Sequence, residues 1–85
     1  MAIDKDPRIS ISHIGLFVTF LSLWERQKVV GPVEVFSRDV MTAAKISSTA
    51  TYQKRIHELD QYGYIRYEPS YYKGKPSKVY ITVKA

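Results

Sequence analysis

Between Thr49 and Leu59 the apolar-side positions Thr49, Tyr52, Ile56 and Leu59 recur in steps of three and four, which predicts a helix with one buried face. Its start falls at Ser47 or Ser48, and its end at Gly63, where a left-handed glycine would let Tyr64 meet Leu59 in a Schellman ending. The opposite face carries Ser47, Ala50, Thr51, Lys54, His57 and Glu58, with Arg55 on its flank. A shorter helix precedes it. Ser37 is the expected cap, with Phe36 stapled onto Met41. Asp39 and Lys45 complement the two ends of its dipole. Lys45-Ile46-Ser47 forms the turn between the helices, with Ile46 buried beneath it.

Further upstream, IGLFVTFLSLW is apolar on nearly every side, broken only by a narrow stripe of Gly15, Thr19 and Ser22. Ser10 or Ser12 can cap this first helix, which runs to about Lys28. A helix so apolar needs more than one neighbour. Ile14, Phe17, Leu21 and Trp24 are expected under the two later helices. Leu16, Phe20 and Leu23 then require a second cover, either the chain's own sheet or the same face of a second subunit. Gly31-Pro32 breaks the chain, and Val33-Glu34-Val35 alternates as a short strand. After Gly63 alternation resumes. Ile65 and Tyr67 face one way, and Arg66 and Glu68 the other. Val79, Ile81 and Val83 point inward, Tyr80 and Thr82 outward. PSYYKGKP, residues 69–76, joins the two runs as the long tip of a β-hairpin. Residues 1–9, polar and carrying Pro7, read as a loose arm.

The chain of 85 residues fits one small domain with a limited core. It has no cysteine, hence no disulfide framework and no thiolate metal site. His13 and His57 have no companions at metal-ligand spacing, so no metal or other cofactor is expected. No nucleophile triad, phosphate-binding glycine loop or paired-carboxylate motif stands out, which argues against an enzyme. A net charge of +5 and a pI near 9.6 favour polyanionic partners to a moderate degree. The apolar run from Ile14 to Trp24 is too short to span a bilayer. Asp4, Asp6 and the following Glu25-Arg26-Gln27 are wrong for a secretory leader. The expected location is cytoplasmic, with no membrane partner.

The order helix, short strand, helix, turn, helix, strand, basic tip, strand resembles the winged helix-turn-helix family over nearly the whole chain. ISSTATYQKRIHELDQYGYI, residues 46–65, carries most of the likeness. ISISHIGLFVTFLSLW with KVVGPVEV is similar, more narrowly, to small winged-helix proteins of bacterial mobile elements and phages. One departure is the spacing of Ile46 and Ile56, ten residues where many members have nine. The resemblance implies an α+β fold of three helices and a small antiparallel sheet. It also implies double-stranded DNA as partner, with a recognition helix at about 47–62 in the major groove and a basic wing at about 69–78. On the helix, Ser47, Ser48, Thr51, Lys54 and Arg55 are candidate contacts, because hydroxyls, ammonium and guanidinium groups bond base edges or phosphates. Tyr71, Tyr72, Lys73, Lys75 and Lys78 are candidates on the wing, where rings can stack and lysines neutralise phosphates. Arg38 is a candidate for the phosphate backbone. The expected function is sequence-selective DNA binding by a transcriptional regulator. Two alternatives stand beside it. One is a replication or recombination accessory factor of a mobile element. The other is a protein-interaction module working through Leu16, Phe20 and Leu23, residues that would equally form the face of a homodimer.

Overall fold

The computed structural model describes residues 2–27, 31–70, 72 and 74–82. A short 3₁₀ turn, Ala2–Lys5, leads to α1 (Ile11–Gln27), β1 (Val33–Val35), α2 (Ser37–Ala43), α3 (Thr49–Gln61), β2 (Ile65–Glu68) and β3 (Ser77–Ile81). The strands form one antiparallel sheet in the order β1-β3-β2, with Val33 opposite Val79 and Ile65 opposite Ile81. The class is therefore α+β, and the order of elements is compatible with a winged-helix layout.

Each helix end has a local cause. Ser10 and His13 form a reciprocal box at the start of α1. The Ser10 hydroxyl accepts from the His13 backbone N–H at 3.4 Å, and His13 Nδ1 accepts from the Ser10 N–H at 2.8 Å. A histidine thus fills the place that glutamate usually takes. At α2 the expected cap shifts by one residue. Phe36 is the cap, makes no side-chain cap bond and stays 48% exposed. Val35 and Val40, both buried, then occupy the staple positions expected for Phe36 and Met41. Ser48 caps α3, its Oγ accepting from the Thr51 N–H at 3.3 Å. Thr49 consequently falls in the exposed first turn, outside the core where its spacing had put it. At the far end Gly63 has φ 87°, and the Tyr64 N–H donates to the Leu59 carbonyl at 3.0 Å, the expected Schellman closure.

The core draws on every element. Leu16, Phe17 and Phe20 of α1 meet Val33, Val35, Val40, Ile46, Tyr52, Ile56, Leu59, Ile65 and Val79. Helix α1 packs on α2 and α3 and also on β1 and β3. The sheet is therefore the second cover that Leu16 and Phe20 require, and both are fully buried within the chain. They offer no face to a partner subunit or to a protein ligand; Leu23 is only partly buried. Trp24, expected in the core, is 44% exposed near the helix end. Gln27 closes the outer side of β1. Its amide donates to the Glu34 carbonyl at 3.1 Å and accepts from the Glu34 N–H at 3.3 Å, satisfying groups that an edge strand would otherwise leave open.

The N-terminal segment departs furthest from expectation. It is not a loose arm: Ile3 is 1% exposed and belongs to the core. Asp6 fixes the chain behind it, accepting from Arg8 Nη2 and from the Tyr64 hydroxyl, each at 2.7 Å. The Arg8 guanidinium lies 4.2 Å from the centre of the Tyr62 ring. Hydrogen bonds from Arg8, then from Tyr64, hold the Asp6 carboxyl well below the usual carboxylate range.

Candidate nucleic-acid interface

The turn between α2 and α3 is set by a second Schellman closure. Lys45 stands at φ 60°, its N–H donating to the Thr42 carbonyl at 3.3 Å, while the Ile46 N–H donates to Met41 at 2.9 Å. Ile46 drops into the core, and the two helices leave an open groove of about 700 Å³ between them. Arg38, Lys45, Ser47 and Thr49 line it, over Met41 and Ile46, and no carboxylate of the described residues does.

Beyond the groove the outer side of α3 is bare. Ser47, Ser48, Ala50, Lys54, His57 and Gln61 are all exposed, because Tyr52, Ile56 and Leu59 turn the other way into the core. Thr51 is half-buried, and its backbone rather than its hydroxyl is engaged by the Ser48 cap. Short side chains at the front of this face and Lys54 in its middle make a surface that could approach a groove floor closely.

Arg55 is not on that face. Its Nη1 donates to Glu58 Oε1 at 2.7 Å, and its Nε is buried without a partner among the described residues. The same Glu58 oxygen lies 2.9 Å from His13 Nε2. Since His13 Nδ1 already accepts from Ser10, the ring proton sits on Nε2 and is donated to Glu58. Glu58 thereby ties the middle of α3 to the start of α1. The Arg55 hydrogen bond, followed by that of His13, lowers its carboxyl below the usual range. Asp60 is likewise engaged within the protein, accepting from the Tyr67 N–H at 2.8 Å. The run from basic to acidic residues along α3 thus follows from internal pairing, with no external anion needed to account for it.

On the hairpin, Tyr71 and Lys73 lie outside the described residues. Tyr72 is 75% exposed and so does not cover the core, and the Lys75 ammonium lies 5.7 Å from its ring centre. Gly74, at φ 84°, makes the bend. Lys78 differs from the other candidates. It sits on the central strand in register with Glu34 on one side and Glu68 on the other, where opposite charges stabilise the sheet itself. Arg66, on the neighbouring strand, donates to Glu68 at 3.2 Å and lies over the Tyr80 ring.

No protein-family model, curated protein or solved structure matches the chain. Arg38, Ser47, Ser48 and Lys54 share the open side of the helix pair, and Tyr72 with Lys75 forms the tip of the hairpin. Arg55 and Lys78 have partners or positions that explain them within the protein. Lys45 was assigned by sequence only to the helix dipole; its place on the groove follows from the positive φ of its backbone, which composition and spacing do not reveal.

Proposed function

We propose that this chain is a winged helix-turn-helix protein that binds double-stranded DNA with sequence selectivity, as a cytoplasmic transcriptional regulator. In this reading α3 enters the major groove, Arg38 and the turn approach the backbone, and the hairpin tip with Tyr72 and Lys75 follows the neighbouring strand. The observation that carries it is the uncovered outer face of α3, with Lys54 at its centre and none of the described residues folded over it. The net charge of +5 supports it more weakly. A role in replication or recombination would use the same surface. The protein-interaction alternative loses its proposed working face, since Leu16 and Phe20 are inside the chain.

Selection of bound duplexes from a random DNA pool tests the reading. The expected result is enrichment of a defined motif, with affinity falling steeply with salt. Lys54→Ala is expected to weaken binding by ~1–3 kcal/mol if it reads a base, and less if it meets a phosphate. No enrichment, or binding indifferent to Lys54 and to salt, would refute it.

A further inference from the structure

Two helices of this chain end in the same hydrogen-bonded closure, but with different residues at the left-handed position. After α3 the position is held by Gly63, at φ 87°. After α2 it is held by Lys45, at φ 60°, the one non-glycine residue with positive φ among the described residues. Nothing in the local hydrogen bonding requires a side chain there. The bonds are made by the Lys45 and Ile46 backbone N–H groups, and glycine would make them with less strain. A side chain kept against its backbone preference points to a use for that side chain. The lysine is exposed, makes no ion pair among the described residues and lines the groove between α2 and α3 together with Arg38. The groove is lined by two cationic residues and by Ser47 and Thr49, with no acidic group among the described residues that line it. That set suits a phosphodiester: a dianion-free, singly charged oxygen pair that takes one or two cations and hydroxyl donors.

We propose that Lys45 and Arg38 form a seat for one DNA backbone phosphate at the helix-helix turn, and that Lys45 occupies its strained position for this contact. The inference rests on the DNA reading and deepens it, because it separates a phosphate anchor at the turn from the base-facing side of α3. It makes an unusual demand: replacing Lys45 with glycine should improve the fold and impair the binding at once.

The test compares Lys45→Gly, Lys45→Ala and Lys45→Arg in the full chain, using the duplex enriched from the random pool. Lys45→Gly is expected to raise the melting temperature by roughly 4 °C. It should also weaken binding roughly eightfold at 0.1 M salt and flatten the salt slope by about 0.9, as loss of one phosphate contact requires. Lys45→Ala should lose the same affinity without the gain in melting temperature. Lys45→Arg should stay within about twofold of the parent, with the slope unchanged. The seat is overturned if Lys45→Gly binds with the parent's affinity and slope while Lys54→Ala still weakens binding, a result that leaves the DNA reading intact. It is also overturned if Lys45→Gly melts no higher than the parent, since the strain would then not exist. A parent chain that selects no duplex at all refutes the DNA reading and takes this seat with it.

Discussion

Truncating Glu58 isolates the contact that joins α3 to α1. In Glu58→Ala the Nε2–H of His13, a residue 1% exposed, loses its acceptor. The His13 ring cannot turn to find another, because its Nδ1 is engaged by the Ser10 N–H. An unsatisfied buried donor costs about 1–3 kcal/mol. Loss of the Arg55 pair, whose side chains are 27% and 23% exposed, adds about 0.2–1 kcal/mol. Together these give roughly 1–4 kcal/mol, a large part of the ~4–13 kcal/mol expected for a chain of this length. The melting temperature should fall by roughly 5–30 °C, followed by circular dichroism at pH 7. Glu58→Gln is the control. Its amide oxygen still accepts from His13, so its cost should stay below about 1 kcal/mol. In a double-mutant cycle with His13→Leu the coupling should exceed about 1 kcal/mol. A fall of less than about 3 °C for Glu58→Ala, or a coupling near zero, would show that this bond does not hold the two helices together.

Two other outcomes follow from the same structure. Ile3→Ala should destabilise by about 2–4 kcal/mol in urea denaturation, as a core truncation does, whereas a frayed terminus would give a change near zero. Stability should also decline on both sides of neutrality. The Glu58 and Asp6 carboxyls lie below their usual range in the folded chain, so the unfolded chain takes up their protons first and stability drops as pH falls below about 4. Burial raises the Tyr52 phenol, so above about pH 10 the unfolded chain ionises first and stability drops again. Urea midpoints measured against pH should show both limbs. Glu58→Gln should flatten the first and Tyr52→Phe the second, and a parent midpoint that does not move below pH 4 would contradict the pairing.

What could be read before any coordinates was the chemistry that acts over a few residues. The close of α3 at Gly63, the three short strands and the inward set Tyr52, Ile56 and Leu59 all depend on near neighbours in sequence. What escaped depends on distant neighbours. His13 and Glu58 are 45 positions apart and Asp6 and Tyr64 are 58 apart, so no local pattern announces either contact. The same holds for α1. Its apolar surface signals two covers, but whether the second is a sheet or another subunit is decided by the path of a chain not yet folded. Arg55 shows the limit for the site. A guanidinium at that spacing reads as a surface cation until its carboxylate partner is seen one turn away, bridged to another helix.

The strand order has a consequence for how the molecule is made. Among the described residues, 33–35 pair only with 77–79, and β2 too finds its only partner in β3. A ribosome must therefore release everything from residue 33 to residue 81 before the sheet can close. Until then α1 waits with Leu16 and Phe20 uncovered by β3, the last of these three strands to emerge. During synthesis the nascent chain exposes the very surface that the finished molecule hides, and it is at that stage, rather than after folding, that chaperones would have something to hold.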